Sequence, residues 1–520
     1  MNHNQFIGRS PQLEHLQNAF DEVLNGNGKI VLVSGEAGIG KTSLVQQFQT
    51  TVIKSYNQLV LEEAKENKNL ANFISGVFRK QERQRPYAIW LDTRCSGRGN
   101  KIPYEPLRDI LDQLVSINTK KRSVNFKKAA PILAKISKHA LSTTMPSLVA
   151  DIVESIVSDA VEHILDLLGL LQGEGENESG VEDVRLRCNN IFRIITKKSV
   201  LILFFDDLHW SDESFSNFLF YMARNTIHRL PILIIGTYRP EDIIITDTRD
   251  EHPLNRLIGD MMLESCVSKI EPDRFDRNSV QTYLNRLYSP NNFEPKVIDF
   301  LAKASDGSPL FLTHLMSLFI SQKNIVQDQG SWRLKDNASL EDIPPVVEEI
   351  ITKRLSLLKG TPNEISKSRR FLDYASLQGN TFNSWLLMNL LPAEDVLEDV
   401  EDRLELIEQV HQIIEQLEIV GFIKDVGTDY GFSHSFIQKV IYNELPIGKK
   451  RNLHRKLGEL LESWAHENNK LKLIAPIIAE HFERGENIEK AIEYMLISAR
   501  EAAQVVAMPE CRADCKRILK

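Results

Sequence analysis

The chain has 520 residues, of which 42% are hydrophobic and 26% charged; that is ordinary globular composition at a length too great for one core, so three or four domains are expected. Its 63 Lys and Arg stand against 71 Asp and Glu, a net charge of -8, which excludes a general basic field for non-specific capture of nucleic acid and leaves room only for a local basic face. The opening Met-Asn-His-Asn-Gln has neither a basic leader nor an apolar h-region, and no apolar stretch reaches the roughly 20 residues that span a bilayer, so no membrane partner and a cytoplasmic location are expected.

In chain order, a helix pattern over Pro11 to Leu24 and a Gly-rich turn at Gly26 to Gly28 lead into the apolar run Lys29-Ile-Val-Leu-Val-Ser34. That run is short and β-branched and predicts a buried parallel strand. Further strands are predicted at Tyr87 to Leu91, Val200 to Phe205 and Pro231 to Gly236. Helical patterns separate them, which points to an α/β fold with a doubly wound parallel sheet. Between the second and third strands, residues 107–195 read as a helical insertion with one polar loop at Gly173 to Gly180.

After the sheet the chain reads as helical, except where two apolar segments flank Gly427-Thr-Asp429 as a β-hairpin would. A helix-rich segment closing on such a hairpin predicts a winged-helix domain. From Lys450 onward, helix patterns at Leu453 to Trp464, Leu473 to Phe482 and Ile488 to Val505 carry small residues at Ala479, Gly485, Ala491 and Ala499, as tetratricopeptide-type (TPR) pairs do. One or two such repeats cannot bury a continuous core, so the chain is expected to be the front of a longer protein. The predicted partition is a sheet domain at 1–245, read as a P-loop ATPase domain from Gly35-Glu-Ala-Gly-Ile-Gly-Lys-Thr42, a helical lid at 246–335, a winged-helix domain at 336–448 and TPR-like repeats at 449–520. The five cysteines are odd in number and scattered, which argues against a disulfide framework. Cys511 and Cys515 would share a helix face, and with no His or further Cys near enough to complete a zinc set they read as plain helix packing.

Gly35-Glu36-Ala37-Gly38-Ile39-Gly40-Lys41-Thr42 fits the G-x-x-x-x-G-K-[ST] pattern and sits between a predicted buried strand and a helix pattern, the context a phosphate-binding loop requires. Its glycines let backbone N–H groups turn inward around phosphates, and the following helix adds its dipole, so Gly35 through Ser43 are expected to hold nucleotide. Lys41 is expected to bridge the β- and γ-phosphate oxygens and the Thr42 hydroxyl to ligate Mg²⁺. The strand ending at Phe205 delivers Asp206 and Asp207 at its C-terminal end, where an open α/β sheet places its ligands. Asp206 is the expected second Mg²⁺ ligand, through water, and Asp207 the group that polarises an attacking water. Arg239 closes the fourth strand at the same sheet edge and is expected to sense the third phosphate; the alternative is a surface arginine in a loop.

Further motifs accompany these: Phe6-Ile7-Gly8-Arg9, Cys95 followed by Pro103-Tyr-Glu-Pro106, Asp206-Asp-Leu-His-Trp-Ser-Asp212, Gly236-Thr-Tyr-Arg-Pro-Glu241, Asp306-Gly-Ser-Pro-Leu-Phe311 and Phe432-Ser-His-Ser435. In order and spacing the chain resembles, over nearly its whole length, the STAND class of AAA+-related signalling ATPases. The likeness is to the branch with Orc1-like ATPase modules, which includes MalT-type regulators, large LuxR-type activators and cyclase- or kinase-associated ATPases. It departs from the family's common residues at Ser308, where Asn is usual, and at Ser211, where Ala is usual; neither change removes a phosphate ligand. The resemblance implies that Phe6 to Arg9 lies against adenine, that Pro309 packs on the nucleotide from the lid, and that His434 contacts the ADP β-phosphate and locks a closed state. From the residues alone, Phe6 to Arg9 is a polar-flanked turn, Pro309 a first-turn proline, and His434 a capping or core histidine.

The expectation is therefore an ATPase that works as a slow signalling switch. ADP holds the lid and winged helix on the ATPase core, and exchange for ATP releases them and lets subunits assemble into a homo-oligomer. A protein or small-molecule stimulus is expected at the C-terminal repeats, and DNA only through a further domain or partner. Three other readings stand beside it. One is an AAA+ DNA-binding initiator or regulator acting through the winged helix, whose wing Lys424 to Asp429 carries two acids to one base. Another is a regulatory module fused to an effector beyond Lys520. The last is a scaffold in which nucleotide is only structural, against which the Asp206-Asp207 pair counts.

Overall fold

A computed structural model describes residues 6–66, 86–95, 102–119, 156–171, 181–244, 253–328, 330–335, 351–352, 355, 362–390, 403–425, 430–433, 435–504 and 507–519. Helix α1 (Ser10–Leu24) buries Leu16, Ala19, Phe20 and Val23, one face of a 3.6-residue period. It leads into β1 (Lys29–Ser34), buried at every residue after Lys29. Then follow α2 (Lys41–Phe48), a π-helical turn at Gln49–Ile53, α3 (Lys54–Glu66), β2 (Tyr87–Arg94), α4 (Glu105–Thr119), α5 (Val161–Leu171), α6 (Val181–Thr196), β3 (Ser199–Asp206), α7 (Glu213–Asn225), β4 (Ile232–Tyr238), α8 (Pro240–Ile244), α9 (Pro253–Met261) and β5 (Val267–Ile270).

The five strands form one sheet in the order β2-β3-β4-β1-β5, every neighbouring pair parallel. Their C-terminal ends therefore share one edge. The residues that continue from that edge are Gly35 after β1, Asp207 after β3 and Arg239 after β4. β3 is buried at all eight positions, as a central strand covered on both faces must be. Helices α4, α5 and α6, from the segment expected to be a helical insertion, join this core through Leu111, Leu114, Leu167, Leu168 and Phe192. The loop at Gly173 to Gly180 lies outside the described residues.

Two sheet features depart from the sequence expectation. β2 runs on to Arg94, past the predicted end at Leu91. β5 was not anticipated at all; it pairs with β1 and falls in the stretch assigned to the lid. Its four residues, Val267-Ser-Lys-Ile270, are too short and too polar for a run-length signal, and only Val267 and Ile270 are buried.

Beyond the sheet come α10 (Arg277–Leu287), α11 (Pro295–Ser305) and α12 (Pro309–Ser321), then the hairpin β6 (Ile325–Asp328) and β7 (Ser331–Leu334). They share a core of Val280, Leu284, Leu301, Leu312, Leu315 and Phe319 that also takes in Ile7. Next are α13 (Pro362–Leu377), β8 (Thr381–Phe382), α14 (Ser384–Leu390), α15 (Arg403–Ile419), β9 (Ile423–Asp425), β10 (Tyr430–Phe432) and α16 (Ser435–Glu444). Their strands make an antiparallel sheet in the order β8-β10-β9, so the expected hairpin forms; its turn, including Gly427 to Asp429, lies outside the described residues.

The chain ends in α17 (Ile447–Glu467), α18 (Leu471–Arg484), α19 (Ile488–Gln504) and α20 (Met508–Ile518). α18 and α19 press together through Ala475, Ala479 and Phe482 against Ala491, Tyr494 and Ala499, with the Phe482 and Tyr494 rings stacked at 5.9 Å. All five cysteines are free thiols. Among the described residues no helix is long and apolar enough to cross a membrane.

Backbone proximity divides the chain into two compact units. One comprises Leu13–Ser34, Phe48–Ile270 and Leu461–Lys520, and so holds the five-stranded sheet and the terminal helices. The other comprises Met1–Gln12, Gly35–Gln47 and Glu271–Leu460. The phosphate loop thus groups with the α10–α12 segment rather than with the strand it leaves.

Candidate functional site

In the sheet unit, the end of β3 carries a buried polar cluster. Thr237, on β4, donates its hydroxyl to Asp206 Oδ1 at 2.5 Å and accepts the Asp207 N–H at 2.8 Å. One side chain thereby fixes both carboxylate-bearing residues, and the Cys95 N–H adds a bond to the Asp206 carbonyl at 2.9 Å. Asp207 turns the chain with a left-handed backbone, φ 59. Arg94, the last residue of β2, donates to Asp207 Oδ2 from Nε at 3.0 Å and from Nη2 at 2.7 Å. Arg239 Nη2 lies 3.8 Å and His209 Nε2 3.9 Å from Oδ1 of the same carboxylate.

Burial opposes ionisation of Asp207, but the charges of Arg94, His209 and Arg239 outweigh it and hold the carboxyl well below the usual range. A carboxylate so held is an orienting acceptor and a weak base at neutral pH. Arg239 itself is buried and also faces Asp242, with Nη1 at 3.4 Å from Oδ2.

In the other unit, the loop Gly35 to Gly40 is gripped from several sides. Lys41 is buried and its Nζ donates to the carbonyls of Gly35, at 2.6 Å, and Glu36, at 2.9 Å. Arg9 donates from Nη1 to the Gly40 carbonyl at 3.0 Å and from Nη2 to the Ile39 carbonyl, with its guanidinium 5.5 Å from the centre of the Phe275 ring. Burial lowers the Arg9 pKa to about 10 against the opposing charge of Asp273, so it stays a cation at neutral pH. Gly38 has φ +80, and a Cβ there would lie 2.4 Å from the Leu310 side chain. Only a glycine lets the first turn of α12 approach this closely.

The segment Phe6 to Arg9 is fixed at both ends. Arg286 on α10 donates to the Phe6 carbonyl at 2.7 Å, and Ile7 is buried in the helical core. Gly8 is left-handed, with φ +66. Ala37 belongs to the loop, Thr42 and Ser43 are half-buried on the first turn of α2, and Pro309 occupies the first turn of α12 after Ser308. One unit therefore brings together Phe6, Ile7, Gly8, Arg9, Gly35 through Ser43 and Pro309, and the other brings together Asp206, Asp207 and Arg239. His434 lies outside the described residues.

The residues suit a magnesium nucleotide. Thr42 in one unit and Asp206 in the other each carry a hard oxygen donor of the kind Mg²⁺ takes. The left-handed glycines Gly38 and Gly40 turn the loop into the curve that aims backbone N–H groups at an anion. Three participants escaped the sequence reading. Arg94 is 113 positions from Asp207 and carries no motif of its own. Thr237 stood inside a quoted motif without a role, and Arg274, which pairs with Glu36 at 2.6 Å, has no local signal.

The AAA ATPase domain family matches residues 5–235. An uncharacterised protein of Rhizobium meliloti (strain 1021) is 22% identical over 511 residues, which cover 97% of this chain and 42% of that protein. Among solved structures, a STAND protein with a tetratricopeptide repeat sensor from Pyrococcus horikoshii aligns at 14% identity and a TM-score of 0.44, over 99% of this chain and 58% of that one. A Walker-type ATPase of Pyrococcus abyssi aligns at 14% identity and 0.31, over 84% and 96%. The Orc1 protein of Aeropyrum pernix, solved with DNA, aligns at 11% and 0.33, over 84% and 93%. The chain thus spans less than two thirds of the Rhizobium meliloti and Pyrococcus horikoshii proteins. A phosphate loop leaves β1 and a carboxylate pair closes β3 of a parallel sheet in residues 5–235, the stretch that matches the AAA ATPase domain family.

Proposed function

We propose that the chain is a STAND-type signalling switch that binds ATP and ADP with Mg²⁺, hydrolyses ATP slowly, and uses nucleotide exchange to control opening and self-association. One observation carries the reading: the phosphate loop is held by residues on both sides of it in sequence, Arg9 before and Leu310 after, so that loop, N-terminal segment and α10–α12 form one compact unit. A nucleotide held there bears on the lid as much as on the sheet, which is what a clasp needs and a simple catalytic pocket does not.

In this reading Lys41 turns from the carbonyls of Gly35 and Glu36 to phosphate oxygens, and Thr42 with Asp206 holds the metal. Bound Mg²⁺ supplies charge neutralisation of the triphosphate. Asp207 orients the attacking water, and its pairing with Arg94 keeps turnover low. Arg239 senses the third phosphate, Phe6 to Arg9 lies along the base, and Pro309 and His434 close the ADP-bound form. The division into ATPase core, lid, winged helix and TPR-like repeats belongs to the same proposal, as do a stimulus at the repeats and a homo-oligomer in the ATP state. The β8-β10-β9 sheet among the helices α13 to α16 supports the winged helix, and the α18–α19 pairing supports the repeats.

The test is to measure nucleotide carried by the purified protein, then ATP turnover with and without Lys41→Ala and Asp207→Ala. The expected loss is about a hundredfold or more in each variant, the scale of removing a charge-stabilising group from a phosphoryl-transfer site. Turnover unchanged in both overturns the assignment.

A further inference from the structure

Glu36 places a carboxylate at the second position of a loop meant for anions, and Arg274 answers it. Arg274 Nη2 donates to Glu36 Oε2 at 2.6 Å. Its Nη1 donates to the Asp306 carbonyl at 3.0 Å and also reaches the Asp306 carboxylate. Asp306 is the left-handed residue that ends α11, with φ 45, two residues before Ser308, which directly precedes α12. One guanidinium therefore spans the phosphate loop and the turn that launches the Pro309 helix.

That turn is itself fastened to the segment bearing Arg274. The Phe275 N–H donates to the Gly307 carbonyl at 2.8 Å. Gly307 has φ +67, and a Cβ there would lie 2.4 Å from the Phe275 carbonyl oxygen, so two backbones meet where no side chain fits. Phe275 in turn carries the Arg9 guanidinium, which holds the carbonyls of Ile39 and Gly40. Two arginines thus fix the two ends of the loop to one rigid turn, Arg274 at Glu36 and Arg9 at Ile39-Gly40.

Arg9 acts on backbone carbonyls and is largely buried; Arg274 acts on a carboxylate and is about half exposed, with 44% of its side chain accessible against 40% for Glu36. The exposed tie is the one that can open. Exposed pairs are weak singly, but this one is anchored at both ends by backbone and shared with Asp306.

We propose that Arg274 is a positioning residue that ties the phosphate loop to the lid turn through Glu36, and that this tie sets how slowly a bound nucleoside diphosphate leaves. The inference rests on the nucleotide-switch reading above. Opening the lid to release ADP requires the Arg274–Glu36 contact to break, while entry of nucleotide into an already open loop does not. Removing the contact therefore raises the dissociation rate and leaves the association rate nearly unchanged.

Stopped-flow release of a fluorescent ADP analogue with Mg²⁺ from the full chain tests this. Arg274→Ala and Glu36→Gln are each expected to speed release about three- to tenfold, the range two coupled exposed ion pairs allow. The Glu36→Gln/Arg274→Ala double variant should be no faster than the faster single one, because both remove the same contact. Parent and variants that release the analogue at one rate, or single effects that simply multiply in the double variant, overturn the tie alone. A parent that retains no ADP overturns the tie together with the nucleotide reading. Matching thermal melts of parent and variants exclude misfolding as the cause of faster release.

Discussion

Arg94 and Asp207 meet from strand ends 113 residues apart, and the pair decides what Asp207 can do. Asp207 is held below the ordinary aspartate value of 3.8, so its pairing contributes stability above that value and loses it as pH falls through the native value. With Arg94 replaced, its share of that lowering is lost while the His209 and Arg239 charges remain, so the carboxyl rises toward the ordinary range. Arg94→Ala is therefore expected to cost roughly 2 kcal/mol at neutral pH, less than a fully buried broken pair because the Arg94 side chain keeps 32% exposure. The gap between parent and variant should narrow below about pH 4, where Asp207 begins to protonate in the unfolded chain. Urea titrations at pH 7 and pH 3.5 check this, and an equal gap at both pH values would count against the ion pair. Lys41, Thr42, Asp206 and Asp207 were legible in the sequence because each belongs to a local pattern with a fixed spacing. Arg94, Thr237 and Arg274 were not, because their partners lie on other strands or turns and only the fold sets the distance.

At the scale of elements, α20 docks on the start of α7 through a single carboxylate. Glu510 accepts the Ser214 N–H at 2.9 Å and the Ser214 hydroxyl at 2.5 Å. Asp212 already caps α7 there, accepting the N–H groups of Phe215 at 2.8 Å and Tyr104 at 3.0 Å. Burial, and then the nearby Asp212 charge, push the Glu510 carboxyl up to about 7 from 4.5. A raised native value means the contribution to docking is fully present below about 4.5 and is lost as pH rises through about 7. Hydrogen exchange over residues 508–519, corrected for intrinsic rates, should accelerate between pH 6 and pH 8 in the parent and stay nearly constant in Glu510→Gln. The same acceleration in both would rule out Glu510 as the titrating group. The helix at the tail was legible in the spacing of Cys511 and Cys515, but its anchor was not, since Ser214 is 296 positions away from Glu510. β1 and β3 were legible because they are continuous apolar runs buried on both faces. β5, with Ser268 and Lys269 at its centre, and the two-residue β8 were not, because strands that short have no pattern apart from their neighbours.

On the scale of the whole molecule, the division into two compact units is the feature the sequence order hides. The phosphate loop is covalently the continuation of β1, yet its contacts from Arg9, Arg274 and Leu310 group it with the segment that begins at Glu271. The loop's motif was plain in the sequence; which segment would claim the loop was not, because that depends on Arg9 and Arg274 reaching backbone and carboxylate across sequence gaps of 31 and 238 positions. In the proposed switch, a loop claimed in this way makes nucleotide identity a matter for the whole chain and gives ATP and ADP different conformational consequences. Sedimentation velocity of the full chain, first loaded with ADP and Mg²⁺ and then with a non-hydrolysable ATP analogue and Mg²⁺, tests that claim most directly. The switch account predicts a single small species with ADP and a larger, concentration-dependent assembly with the analogue; the same sedimentation coefficient in both states, with nucleotide bound in each, would contradict it.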